Sequence, residues 1–213
     1  QMCIRDRTNT SVEINNSASV AGTAIAAWDN GNLAIAWTRP IYGGTTQHVL
    51  ALSFYDGSSW TTQDIDTSSR TGYRPSIAID NQGALHIAYL DKDNTNLRYA
   101  TNASGSWVLS TLDTSSVNPN NDAAKTGIAI DNRGHVHIIH PVQGSSVWVL
   151  NYTTNVSGSF VSTTITDTTK DDGKYASLAI AGNGSLHISV YRDSGGSDLR
   201  YYTCLLYTSD AAD

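Results

Sequence analysis

Three histidines, His86, His137 and His187, stand 51 and 50 residues apart in the sequence. Imidazole is the commonest metal-ligating side chain, so three of them raise the question of a metal centre. Each, however, occupies the same place in a similar segment: "ALHIAY", "HVHIIH" and "SLHISV". Residues at one position of a repeat are spread over the fold rather than gathered at a point. A polar residue repeated on an inner strand is expected to be a hydrogen-bonded structural group, tying one repeat to the next. His135 and His140 occur only in the third repeat, with no carboxylate at obvious ligand spacing.

The segment "DKDNTN" places Asp91 and Asp93 at alternate positions of one loop. Hard oxygen ligands so spaced can begin a calcium site, the one cofactor the sequence suggests. The later glycine and bidentate glutamate of an EF-hand are missing, and an ordinary solvated turn is the plainer reading. Glycoside hydrolysis asks for a carboxylate pair, or a tyrosine nucleophile with an arginine cluster. Glu13 is the only glutamate, and it lies in a fragmentary edge segment. No nucleophile elbow, phosphate-binding loop or dinucleotide fingerprint is present. No catalytic residue is assigned.

The elements that would hold these residues follow from the repeat. Anchored on Gly31, Gly83, Gly134 and Gly184, the units are spaced by 52, 51 and 50 residues. A β-patterned period of this size indicates propeller blades. One unit reads as "SIAID", a tight "NQG" turn, "ALHIAY", a variable loop, "NLRYAT", a "NASGS" turn and "WVLSTLD". The two inner strands are apolar on both faces, so both faces must be covered, as neighbouring blades do in a propeller. The fourth strand alternates with Thr and Ser, as an outer edge should. With one glutamate and four lysines, and with Thr, Ser, Asn, Asp and Gly filling most polar positions, the composition is all-β. About four four-stranded blades are expected, three whole and one split: 8–20 ends a preceding blade, then 21–68, 73–116, 124–169 and an incomplete 174–203. Closure as a four-bladed ring and an open arc of a larger propeller both satisfy this frame, and the arc is preferred.

The pattern "SIAID…LHIAY…NLRYAT…GSW" resembles the sialidase-like, BNR-type propeller repeats of secreted and surface bacterial proteins. The third-turn Asp-box of those proteins, Ser-x-Asp-x-Gly-x-Thr-Trp, is met only in part. "SFYDGSSW", "NASGSW" and "NVSGSF" keep the glycine and the aromatic, and Asp56 is displaced. The terminal strings "QMCIRDR" (1–7) and "CLLYTSDAAD" (204–213) share nothing with the repeat, hold both cysteines, and resemble translated sequencing-adapter read-through; they are expected to lie outside the folded unit.

In a propeller, the loops between second and third strands share one rim with the loops joining blades, and these are the variable segments here. Function sits on such loops over a rigid scaffold. Arg39, Tyr42, Tyr73, Arg74, Lys125, Lys174, Tyr175 and Arg192 supply donors and stacking faces there. Arg39 and Arg192 share a repeat position. The leading expectation is a non-catalytic recognition module of a secreted or surface protein, binding glycan or protein through this rim. A sialidase-like hydrolase or lyase completed by further blades of the parent chain is the alternative, and a structural spacer the third. A net charge of -6 disfavours nucleic acid as a partner, and no apolar run is long enough to span a bilayer.

Overall fold

The computed structural model describes residues 22–41, 47–68, 70–115, 123–144, 147–193 and 196–205. All of the regular structure among them is β. The first blade consists of β1 (Thr23–Ala27), β2 (Leu33–Ile41), β3 (Gln47–Tyr55) and β4 (Trp60–Asp66). The second holds β5 (Tyr73–Ile79), β6 (Leu85–Asp91), β7 (Asn96–Thr101) and β8 (Val108–Asp113). The third holds β9 (Gly127–Ile130), β10 (Val136–Gln143), β11 (Trp148–Thr154) and β12 (Val161–Thr164). The last comprises β13 (Asp172–Ile180), β14 (Ser185–Arg192) and β15 (Asp198–Leu205). Within each blade consecutive strands pair antiparallel. A single parallel bridge, Val149 to Asp172, joins β11 to β13.

Each blade turns over at a glycine. Gly31, Gly83, Gly134 and Gly184 have φ of 88°, 84°, 84° and 79°, the left-handed region that a two-strand connection needs and that glycine enters without a Cβ penalty. The ladder of β14 and β15 continues through Cys204, paired with Leu186, and Leu205, paired with Ser185. It therefore runs two residues past the expected boundary at 203, because backbone pairing is indifferent to side-chain identity.

The first strands β1, β5, β9 and β13 pack side by side in that order, and the blades fan outward from them as in a β-propeller. The core is divided into seams between successive blades. Ala36, Leu50 and Leu52 meet Leu85, Ile87 and Tyr89 at the first seam. Leu90, Leu97 and Tyr99 meet Val136, Ile138 and Trp148 at the second. Ile139 and Leu150 meet Leu186, Ile188 and Val190 at the third. Full burial of a Leu or Ile side chain is worth about 1.5–3 kcal/mol, so most of the folding free energy lies in these seams rather than inside single blades. Two of the aromatics at the start of fourth strands serve them too: Trp107 packs on the first seam, and Phe160 of the third blade sits 5.2 Å from Tyr99 of the second.

Candidate functional site

The two ends of the blades differ in construction. At one end the blade-joining segments cross the loops between second and third strands. The amide of Thr71 donates to the His48 carbonyl at 3.0 Å, Lys92 to Arg70 at 3.0 Å, and Asp193 to Asp171 at 2.8 Å. At the other end the hairpin turns touch one another, with Trp28 Nε1 donating to the Gly83 carbonyl at 3.1 Å. Backbone strain separates the ends. The hairpin turns place glycine wherever φ is positive. The non-glycine residues with positive φ among those described are Arg70 (26°), Arg74 (50°), Thr95 (55°) and Tyr175 (51°), and all four lie at the loop end. Left-handed backbone costs a residue with a Cβ roughly 1–2 kcal/mol, and such strain gathers at working sites.

Arg74, Lys125 and Tyr175 occupy one position of the repeat, where the first strands begin beside the axis. Lys125 is exposed, Tyr175 is 54% exposed, and Arg74 is half-buried. The Tyr175 ring lies edge-on to Tyr191, with centroids 6.1 Å apart. The ammonium of Lys174 donates to Asp171 at 2.7 Å and to Asp193 at 2.8 Å, bracing the blade-joining segment against the loop after β14. Arg192 is half-buried, its Nε lacks a partner among the described residues, and it pairs in register with Asp172.

Other expected rim residues have different duties. Tyr73 is 5% exposed, a core side chain rather than a stacking face. Its hydroxyl meets His48 Nδ1 at 2.9 Å, and burial pushes its pKa upward. The register shift between Tyr73 and Ser76 turns the ring into the second seam while Arg74 stays at the rim. Arg39 is held by Asp64 of β4, its Nε to Oδ1 at 2.8 Å. Tyr42 lies outside the described residues, as do Cys3 and Glu13. Asp91 accepts the amides of Asp93 and Asn94 at 3.0 and 3.1 Å and the Asn94 side chain at 2.8 Å. Asp93 is paired with Arg70. The two carboxylates are thus used in an Asx-type turn and an ion pair. Among the described residues no group of three or more His, Cys, Asp or Glu is placed to hold a metal ion.

The repeated histidines form a set the sequence only half showed. His86 Nε2 faces Asp80 at 3.1 Å and its Nδ1 faces the Tyr99 hydroxyl at 2.5 Å. His137 repeats this with Asp131 at 3.3 Å and Tyr152 at 2.6 Å. In the last blade Ala181 replaces the aspartate; His187 keeps Tyr201 at 2.6 Å and takes Ser185 at 2.7 Å instead. The partners lie within one blade, binding the first turn to the second and third strands. The expectation that these histidines tie blade to blade is corrected accordingly, because each ring points along its own sheet. The spacing Asp-x5-His held the signal in two repeats. Burial pushes Tyr99 up to about 12, and burial lowers His137 despite the opposing pull of Asp131.

Two buried carboxylates, Asp66 and Asp113, add further ties between blades. Asp66 ends β4 and accepts the hydroxyl of Tyr89 at 2.7 Å and the guanidinium of Arg98 at 2.8 Å, both from the second blade. Asp113 ends β8 and accepts from His140 at 3.0 Å and Asn151 at 2.9 Å of the third. At the matching place after β12 stands Thr166, which accepts the Leu150 amide at 2.9 Å within its own blade. The displaced Asp56 caps its turn by accepting the amides of Ser58 and Ser59, both at 2.8 Å.

Several concavities lie between blades, two of them larger than 300 Å³ among the described residues. One of about 490 Å³ opens at the hairpin end between the second and third blades, beside Gln82, Tyr99, Arg133 and Phe160. The other, about 380 Å³ and largely apolar, lies between the third and last blades beside Tyr152, Ile165 and Tyr202.

No family model matches the chain, and no curated protein matches it. Solved structures do. A protein of unknown function from Dyadobacter fermentans aligns with a TM-score of 0.60 at 10% identity, over 84% of this chain and 51% of that one. An alpha-L-arabinanase from Penicillium chrysogenum, complexed with arabinobiose, aligns with a TM-score of 0.60 at 15% identity, over 86% of this chain and 62% of that one. An ulvan lyase bound to a GlcA–Rha3S saccharide aligns with a TM-score of 0.54 at 13% identity, over 86% and 51%. The chain thus spans 51–62% of the length of these structures. At such identities the likeness establishes the fold, an all-β propeller.

Proposed function

We propose that this chain is a glycan-recognition propeller that holds its ligand at the loop end, outside the cell, without transforming it. The observation that carries this reading is the concentration of left-handed, non-glycine backbone at that end. Two of those four residues, Arg74 and Tyr175, share a repeat position with the exposed Lys125. A guanidinium, an ammonium and a phenol thus begin three successive inner strands. Aromatic faces and charged donors are groups with which proteins orient polar ligands. The arabinanase and the ulvan lyase of similar fold were both solved with saccharide bound, which supports a sugar as the ligand class.

A glycoside hydrolase or lyase is the second reading, and one residue favours it. Asp172 is 3% exposed, accepts the Tyr202 hydroxyl at 2.8 Å, and leaves Oδ1 without a partner among the described residues. A hydrolase needs a second carboxyl at a defined separation, and Asp172 is the one buried acid with an orphaned oxygen among the described residues. Recognition therefore stands first. A glycan array on the intact protein, followed by assays for new reducing ends or unsaturated products on every hit, separates the two. Binding without turnover supports recognition, turnover supports the enzyme, and an empty array removes both.

A further inference from the structure

At the hairpin end of the first seam the molecule fills a groove with its own side chains. Trp28 follows β1, and its indole Nε1 donates to the Gly83 carbonyl of the second blade at 3.1 Å. Its ring meets Phe54 edge-on, with centroids 5.7 Å apart, and packs on the core of that seam. One blade on, both rings are lost. Three residues before the turn glycine, Trp28 is replaced by Asp80; on the third strand, Phe54 is replaced by Thr101. The groove of about 490 Å³ at the second seam lies where those rings would stand. A Cβ on Gly83 would come within 3.4 Å of Trp28 Nε1, whereas one on Gly134, the matching glycine, would meet nothing within 4 Å. Among the described residues no side chain donates to the Gly134 carbonyl as Trp28 does to that of Gly83.

We infer that this groove is a binding site for a flat nitrogen heterocycle of indole size, whose ring N–H donates to the Gly134 carbonyl. The site lies at the end opposite the proposed glycan rim and does not depend on that reading. Its walls are held in place by their own bonds: Tyr99 meets His86, and His86 meets Asp80. Tyr99 and Phe160, 5.2 Å apart, give the groove an aromatic side against which a flat ring stacks. Asp80 and Thr101 put hydrogen-bonding groups where the first seam has rings, so a heterocycle with polar edges suits the groove better than a hydrocarbon. The volume is that of a small-molecule site. Both walls belong to described blades, and a further blade, which would pack at an end of the arc, would not cover it.

The test is titration of indole into the full chain, followed by ligand-observed NMR and by the amide spectrum of the isotope-labelled protein. Wild type is expected to bind one equivalent saturably, moving the amide signals of Gln82, Arg133 and Gly134 and leaving that of Lys125 in place. Thr101→Phe returns to the second seam the ring that Phe54 supplies in the first, and is expected to abolish binding. Benzofuran, the same bicycle with oxygen in place of N–H, is expected to bind wild type about fivefold more weakly, the worth of one hydrogen bond. The benzofuran comparison and the amide map need no variant, so they decide the matter even if Thr101→Phe fails to fold. No saturable binding, benzofuran binding as tightly as indole, unchanged binding in a folded Thr101→Phe, or shifts confined to the apolar cavity beside Ile165 and Tyr202 overturns the inference.

Discussion

His140 of the third blade places Nε2 3.0 Å from Oδ2 of Asp113, which ends the outer strand of the second. His140 is 0% exposed, Asp113 is 9% exposed, and the same carboxylate takes the Asn151 amide. Asp66 makes the corresponding tie one seam earlier, with Tyr89 and Arg98. Two of the three seams are thus pinned by a buried carboxylate at the loop end. Asp113→Ala leaves two buried donors unpaired and is expected to cost about 2–6 kcal/mol, at 1–3 kcal/mol for each orphaned group. Thr166→Ala, at the third seam, removes only one acceptor and is expected to cost less. Denaturant midpoints of the two variants check the order.

Stability falls with acid in two stages. Burial holds His137 neutral, with its pKa below the ordinary 6.5. As pH drops below about 6.5 the unfolded chain gains a proton that the native one refuses, so the unfolded state binds more protons and stability declines. Burial raises the Asp113 carboxyl, but bonds from His140, Ser115 and Asn151 outweigh it and hold the pKa below the ordinary 3.8. Its contribution is complete above 3.8 and is lost as pH falls through the depressed value. The melting temperature is therefore expected to decline from pH 7.5 to 5.5, less steeply in His137→Gln, and to fall again below pH 4. A profile flat across the upper window contradicts the neutral, buried histidine.

The repeat was legible because its determinants are local. Turn glycines, alternating Thr and Ser on outer strands, and doubly apolar inner strands all announce themselves within a few residues. The seams were not legible in the same way. Asp66 and Asp113 look like ordinary turn residues until the next blade brings Tyr89, Arg98, His140 and Asn151 to them. Tyr73 failed for a related reason: a register shift at the strand entry decides whether it or its neighbour faces solvent, and no property of the residue reveals that. Arg74, Lys125 and Tyr175 each stand nine residues before their anchoring glycine, so their shared repeat position was already legible, whereas the left-handed backbone at Arg74 and Tyr175 was not.

Gly72 and Gly173 mark where a blade-joining segment crosses the third strand of the preceding blade. A Cβ at Gly72 would lie 2.6 Å from Leu50 N and Cα, and one at Gly173 would lie 2.5 Å from the Val149 carbonyl carbon. Backbone, unlike a flexible side chain, cannot move aside. Gly72→Ala also meets a left-handed φ of 80°. Each substitution is expected to cost about 2–3 kcal/mol. For a chain of this size that lowers the melting temperature by about 2–4 °C per kcal/mol. Gly158→Ala, where a Cβ meets nothing, isolates the cost of φ alone.

The loop end is tested most directly by titrating the best glycan found on the array into Lys125→Ala/Tyr175→Gly, with Gln82→Ala/Ser106→Ala at the hairpin end as the control. Glycine at 175 removes the ring and relieves the left-handed backbone, so the rim pair keeps its stability and a loss of binding reports contact with the ligand. Affinity is expected to weaken at least tenfold in the rim pair and to stay unchanged in the hairpin pair. The reverse pattern, full affinity in the rim pair and a loss in the hairpin pair, contradicts this and moves the site to the groove beside Gln82 and Phe160.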